Sequence, residues 1–168
     1  MEKTLRVINE ITRQGIISAY AIGGGIAATY YIEPMLTYDL DIFFIPAMEG
    51  LDILAPIHAY AEKAGYKTQG EMILIEGIPV QFIPVYNDLI REAVENAAGL
   101  KYRDVEAKVV TAEYLIAIAL QTGRAKDRER IIRLLDEAVI DRTVLARILE
   151  VFGLAEKFKK FKSRFYEK

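Results

Sequence analysis

Residues 16–45 decide how the chain folds, and they read IISAYAIGGGIAATYYIEPMLTYDLDIFFI. The short apolar, β-rich run 16–22 is followed by three glycines and then by residues that favour a helix, which predicts a strand, a tight turn and a helix. Pro34 stops that helix. The apolar run 39–45 predicts a second strand, so that a glycine turn and a pair of acids lie at the ends of two successive strands.

The pattern outside this stretch adds one hairpin and many helices. Two strands around Glu76-Gly77 predict the hairpin, and Gly123 and Gly153 separate C-terminal helices. Apolar residues recur at helical spacing in 2–14, 51–64 and 87–97, strands are expected over 72–75, 78–85 and 105–110, and helices follow from 112. The predicted class is α+β (α/β mixed), with a small mixed sheet and flanking helices over 1–110 and a C-terminal helical region, 111–168, packed on that core.

Composition excludes several kinds of site. The chain has no cysteine and one histidine, so a metal would be held by oxygen ligands, which favours magnesium, calcium or manganese. The net charge of −2 does not indicate a nucleic-acid-binding body, although residues 157–168 form a basic tail. No apolar run approaches membrane-spanning length, so we expect a soluble, cytoplasmic protein without a membrane partner. The tail alternates lysines with an aromatic stripe, which predicts a docked helix or, alternatively, a contact for RNA or another polyanion.

Two acids open the second predicted strand. Asp39 and Asp41 are two residues apart, so their side chains point to the same side of the strand. Carboxylates held together repel one another, and the arrangement is costly unless a cation lies between them or water screens them. Gly23, Gly24 and Gly25 expose N–H groups at the start of a helix, where phosphate binds. A simple alternative is a pair of exposed acids and an ordinary tight turn.

A second alternative is a dinucleotide site. Gly23, Gly25 and Ala28 match the loose G-x-G-x-x-[G/A] pattern. In that fold the acid stands at the end of the second strand and the sheet is parallel. Here both acids stand at the beginning of the strand, so the dinucleotide-binding module is the weaker hypothesis.

These motifs together resemble the polymerase-β-like nucleotidyltransferase superfamily. The stretch Thr37-Tyr38-Asp39-Leu40-Asp41 is similar to the Thr-x-Asp-Leu-Asp motif of its abortive-infection (AbiEii-like toxin) branch. Residues 115–135, with the core Gly123-Arg124-Ala125-Lys126-Asp127-Arg128, resemble the downstream helix pair of that branch. The likeness runs from Ala21 to Leu135 and implies a nucleotidyltransferase fold.

The resemblance also implies a reaction and a set of residues. Asp39 and Asp41 would hold Mg²⁺ or Mn²⁺, and the three glycines, with Thr37, Arg124 and Lys126, would bind the nucleoside triphosphate. A nucleoside monophosphate would pass to an unknown acceptor, with RNA or a protein as candidates, and pyrophosphate would leave. The branch implies a toxin–antitoxin-like role, with a partner protein or a homo-oligomer as further expectations.

The chain departs from the family pattern at two places. The superfamily carries a third carboxylate where this sequence has Gln81, and the branch carries a lysine where it has Ile118-Ala119-Leu120. An amide cannot act as a base at neutral pH. Asp88 and Asp104 are alternative positions for the third acid. A catalytically degenerate protein that binds nucleotide, RNA or a protein partner is therefore the alternative to an enzyme.

Overall fold

The computed structural model describes residues 1–167, so Lys168 of the basic tail lies outside the described part. Seven strands and eight helices follow one another along the chain within it. The strands are β1 (Ile17–Ile22), β2 (Leu40–Pro46), β3 (Lys67–Gln69), β4 (Met72–Ile75), β5 (Ile78–Pro84), β6 (Ala98–Tyr102) and β7 (Val105–Val109). The helices are α1 (Glu2–Arg13), α2 (Gly24–Thr29), α3 (Ala55–Lys63), α4 (Asp88–Glu95), α5 (Ala112–Thr122), α6 (Ala125–Glu137), α7 (Arg142–Val151) and α8 (Ala155–Phe161), which continues as a π-helical turn (Lys162–Tyr166).

All seven strands form one mixed sheet in the order β3-β4-β5-β2-β1-β7-β6. β1 runs antiparallel to β2, while β2 and β5 run parallel, with Asp41 directly beside Gln81. The hairpins β4–β5 and β6–β7 are antiparallel. The mixed sheet confirms the predicted fold class and differs from the parallel sheet that a dinucleotide-binding module requires.

The sheet is buried because its central strands are apolar on both faces. Leu40, Ile42 and Phe44 of β2 are fully buried on one face of the strand. Phe43 is buried on the opposite face, so the strand is covered on both sides. α1 packs on β1 and β7, α4 packs on β1 and β2, and α5 packs against α4, α6 and α7. α5 is buried over nine successive residues, Ala112 to Leu120, so it is the central helix of the C-terminal part.

The structure corrects several boundaries. β3 and β6 were not predicted, and both lie at sheet edges with mostly exposed side chains, so their sequences carry no alternating pattern. α3 begins at Ala55 rather than residue 51, and Leu51 is fully exposed. α2 begins at Gly24, inside the glycine run, and ends at Thr29. The aromatic stripe of the tail docks as expected, with Leu154 and Phe161 buried.

No helix within residues 1–167 combines the length and the apolar character that crossing a bilayer requires.

Candidate active site

The two acids and the glycine turn meet at the same end of β1 and β2. The Gly23 N–H donates to the Asp41 carbonyl at 2.9 Å, which ties the turn to the start of β2. Gly24 lies against the Asp41 side chain: a Cβ on Gly24 would come 1.9 Å from Asp41 Oδ2, and Gly24 has a φ of +60°. Only glycine therefore fits at this position, because a side chain would both strain the backbone and displace the carboxylate.

The other two glycines face protein rather than open space. A Cβ on Gly23 would meet the Phe43 ring at 2.2 Å, and one on Gly25 would meet Thr37 Oγ1 at 2.9 Å. The sequence analysis attributed the glycines to the approach of a phosphate oxygen. In the structure, the close approach at each glycine comes from a side chain of the chain itself.

A cavity of about 210 Å³, which we call the acid cavity, brings most of the predicted residues together. β2 and the residue just before it supply Asp41 and Asp39, β5 supplies Gln81, and the α5–α6 region supplies Thr122, Arg124, Lys126, Asp127 and Arg130. Gly24 lines it as well, whereas Gly23, Gly25 and Thr37 do not. Asp88 and Asp104, the alternative positions for a third acid, do not line it.

The nearby positive charges do not fully compensate the burial and mutual repulsion of Asp39 and Asp41. Burial, together with the neighbouring charge of Asp39, raises the pKa of Asp41, although Arg130, Lys126 and Arg124 act in the opposite direction. Within residues 1–167, neither acid takes part in an ion pair shorter than 4.0 Å. A bound cation would relieve this repulsion, so the donor set fits a divalent ion with oxygen ligands. No cluster of three or more potential metal-binding acids or histidines occurs in the same range, so the protein offers two carboxylates.

Asp127 organises the cations on the opposite wall. It is almost completely buried and accepts hydrogen bonds from the Arg124 backbone N–H (3.1 Å), from Arg124 Nε (2.8 Å) and from Arg130 Nη1 (3.3 Å). These bonds start α6 and hold both guanidinium groups. Asp127 therefore caps the start of α6, and the same carboxylate also positions the arginines that line the acid cavity.

Arg130 is the residue that the sequence analysis missed. Its side chain is only 12% exposed, and its Nε is buried without a hydrogen-bond acceptor among the described residues. Its Nη2 lies 3.7 Å from where a Cβ on Gly25 would stand. A buried N–H group without an acceptor indicates that a hydrogen-bond partner is missing, and a bound anion could be that acceptor. The four-residue spacing of Lys126 and Arg130 puts both side chains on one face of α6, but the sequence does not show that this face reaches the glycine turn.

Gln81, where the resemblance led us to expect a third carboxylate, lies beside Asp41. It is paired in register with Asp41 and lines the acid cavity, and its amide donates to Glu71 at 3.3 Å. Glu71 is exposed and does not line the cavity. The position therefore carries an amide beside the acid pair.

Comparison with known proteins gives a fold but no sequence relative. No family model matches the sequence, and no curated protein is recognisably similar to it. Among solved structures, an antigenic nucleotidyltransferase-like protein from Paracoccidioides brasiliensis superposes with a TM-score of 0.58 and 14% identity, covering 95% of this chain and 88% of that one.

Two further solved structures superpose less closely. They are ANT(2'')-Ia in complex with adenylyl-2''-tobramycin (TM-score 0.49, 16% identity, 96% of this chain and 98% of that one) and the lincomycin-bound lincosamide antibiotic adenylyltransferase LnuA (0.49, 17%, 80% and 96%). Similarity at that level adds nothing to the argument, and the abortive-infection branch stays a prediction. The first comparison and the mixed seven-stranded sheet together show that this chain has the fold of nucleotidyltransferase-like proteins.

Proposed function

We propose that the chain is a metal-dependent nucleotidyltransferase that works in the acid cavity. One observation supports this most strongly: Asp39 and Asp41 line the same small cavity as Lys126 and Arg130, and neither acid is paired within the described residues. Acids facing cations across an open space suit a ligand that carries both a metal ion and phosphates.

Asp39 and Asp41 would hold Mg²⁺ or Mn²⁺. When bound, this ion neutralises phosphate charge and polarises the phosphoryl group that is transferred. The absence of a side chain on Gly24 leaves room for Asp41, because the carboxylate occupies the space that a Cβ on Gly24 would take. The volume of about 210 Å³ is below the range of about 300–1,000 Å³ that encloses whole small molecules. We therefore assign the cavity to the triphosphate and place the nucleoside outside it.

Arg130, Lys126 and Arg124 would bind the triphosphate oxygens. Asp127 holds Arg130 from one side, so the guanidinium keeps its orientation before the nucleotide arrives. During transfer an acceptor oxygen forms a bond to the α-phosphorus, the bond from the α-phosphorus to the bridging oxygen breaks, and pyrophosphate leaves. The negative charge that grows on pyrophosphate is stabilised by these cations.

The test measures nucleotide binding and transfer separately. Each of the four α-³²P-labelled ribonucleoside triphosphates is incubated with the protein, Mg²⁺ or Mn²⁺, and a cell extract, and calorimetry measures the affinity for the same nucleotides. We expect one nucleotide to bind and to label an acceptor, and Asp41→Asn to abolish labelling. Asp104→Asn, an exposed acid outside the cavity, is the matched control.

Binding without labelling in extracts of several kinds would instead support the catalytically degenerate alternative that Gln81 suggests. Absence of nucleotide binding would refute the proposal altogether. A toxin–antitoxin role predicts in addition that expression of the active chain arrests growth and that Asp41→Asn relieves the arrest.

A further inference from the structure

A second cavity, which we call the cationic pocket, lies between α5, α6 and α8. Its volume is about 330 Å³, and its floor is apolar, formed by Leu120, Ile131 and Phe161. Every charged side chain that lines it within residues 1–167 is positive: Arg124, Arg128, Lys157, Lys160 and Arg164. A pocket of this size can enclose a small molecule.

Four of the five cations in this pocket lack acidic partners within residues 1–167. Arg124 is bound to Asp127, but the other four form no ion pair within residues 1–167. Arg128 and Arg164 both lie against the ring of Phe165, at 4.5 and 5.0 Å from its centre, so two like charges share one aromatic ring. Gathering positive charges in one concave site raises the local potential and attracts a multiply charged anion.

The cationic pocket adjoins the acid cavity. Ala119 and Arg124 line both, so the two spaces meet at the end of α5 and the first residues of α6. An acceptor must reach the α-phosphorus from a site next to the nucleotide. The cationic pocket has that position, and its charge excludes a positively charged acceptor.

The residue beside the acid pair limits the kind of acceptor. A hydroxyl acceptor needs a base to take its proton, and Gln81 cannot serve because an amide is not basic at neutral pH. Asp127 is committed to two arginines, and Glu71 lies outside the acid cavity. A phosphate monoester has a second pKa of about 6, so at pH 7 most of it is already doubly ionised and needs no base.

We propose that the acceptor is a small phosphate monoester bound in the cationic pocket. This inference rests on the proposed nucleotidyl transfer. One oxygen of the acceptor phosphate forms a bond to the α-phosphorus, and the bond to the β-phosphate bridge breaks. Pyrophosphate takes the electron pair of that bond, and no proton has to be removed from the acceptor. The product is a diphosphate that joins the nucleoside to the acceptor.

The first experiment tests the pocket without any transfer. Glucose 6-phosphate is titrated into the ¹⁵N-labelled protein, with glucose as the uncharged control, and amide shifts are followed by NMR. We expect saturable shifts confined to 119–131 and 157–165. Lys160→Glu should weaken binding about tenfold or more, because a charged hydrogen-bond partner is lost and a repulsive charge is added. Lys63→Glu, an exposed lysine on α3, should leave binding unchanged.

Two results of this titration would overturn the inference. One is that glucose 6-phosphate gives no saturable shifts, or that it binds Lys160→Glu as tightly as wild type while the thermal stability of the variant is unchanged. The other is binding of a 5′-phosphorylated RNA hexamer in the pocket while glucose 6-phosphate does not bind, which would assign the pocket to a nucleic-acid strand. Because Lys160 is exposed, its substitution does not remove core packing.

The second experiment identifies the bond that forms. A small-molecule extract is used as acceptor with the α-³²P-labelled nucleotide, either untreated or treated with alkaline phosphatase that is then removed. We expect a labelled product only with the untreated extract, resistant to alkaline phosphatase and cleaved by a nucleotide pyrophosphatase. Labelling of a hydroxyl in the dephosphorylated extract overturns this inference alone. Loss of nucleotide binding and of all labelling overturns the proposed transfer as well, and with it the acceptor role.

Discussion

The acid cavity and the cationic pocket share the end of α5, yet they are built in opposite ways. In the acid cavity, Asp127 is buried and Asp41 is half-buried, and arginine hydrogen bonds and a glycine contact fix their positions. In the cationic pocket the charges stand on long, exposed side chains above an apolar floor. Buried charges cost stability and gain fixed geometry, whereas exposed lysines cost little and provide only attraction. The difference is consistent with the proposal that transfer takes place in the first cavity and that the second binds the acceptor.

The largest effect is expected at Asp41. Asp41→Asn keeps the shape and removes the charge, so we expect transfer to fall about a thousandfold, since a metal contributes several kcal/mol to the transition state. Thermal stability should stay equal or rise, because the raised pKa of Asp41 shows that burial disfavours its charged form. Labelling assays measure the loss of transfer, and calorimetric melting measures the thermal stability. A variant that is inactive and also less stable would show that Asp41 serves the fold.

The next effect is expected at Gly24. Gly24→Ala places a methyl group in the space of the Asp41 carboxylate, so transfer should fall about a hundredfold through misplacement of the acid. Gly70→Ala is the matched control, because Gly70 has a φ of +63° but no neighbour within 4 Å of its Cβ position. Both variants should lose about 1 kcal/mol or more through backbone strain. Equal activity in the two would refute the contact argument.

A third effect separates buried from exposed ion pairs. Asp127→Asn leaves Arg130 largely buried without its charged partner, and we expect the free energy of unfolding to fall by about 3 kcal/mol. Glu137→Gln breaks the more exposed pair with Arg133, which solvent screens, and should lower the free energy of unfolding much less. Urea denaturation of the two variants measures the difference. Nucleotide affinity should fall only in Asp127→Asn, because only that change releases Arg130.

The smallest effect lies outside both cavities, at Glu92. Hydrogen bonds from Tyr114 (2.6 Å) and Arg147 (2.5 Å) hold the pKa of Glu92 below its usual value. A lowered pKa contributes stability above the unfolded value of about 4.3, and this contribution is lost as the pH falls through the folded value. Wild type should therefore exceed Glu92→Gln in melting temperature near pH 7, and the gap should narrow below about pH 4. A constant gap would contradict the assignment.

The sequence was sufficient for the elements whose residues carry a strong pattern. The glycine turn, the acids at the start of β2, and the hairpin at Glu76-Gly77 are confirmed, because positive φ at both turn residues and a buried apolar strand leave clear signals. β3 escaped prediction because Lys67-Thr68-Gln69 is polar and exposed throughout. Its strand geometry comes from pairing with β4, a contact that periodicity cannot reveal.

The site was harder to predict than the fold. Asp39 and Asp41 could be singled out because their spacing alone puts them on one side of a strand. Arg130 could not, because nothing in a linear pattern shows that α6 returns to the glycine turn. The sequence analysis singled out the glycines for the approach of a phosphate. In the structure, glycine is required there because the side chains of Phe43, Asp41 and Thr37 come close to the three backbone positions. The cationic pocket could not be predicted from the sequence, because its cations come from two segments, 124–128 and 157–164, that only the fold brings together.

The short pairing between β1 and β7 determines which part of the sheet unfolds locally first. The two strands are paired at Ile22 and Val109, with one more bond from the Val110 N–H to the Ile22 carbonyl, whereas β2 and β5 are paired over five positions. Native-state hydrogen exchange should therefore release the amides of β6 and β7 before those of β2. β7 leads within three residues into α5. Local opening between β1 and β7 would therefore also move the end of α5, which lines both cavities.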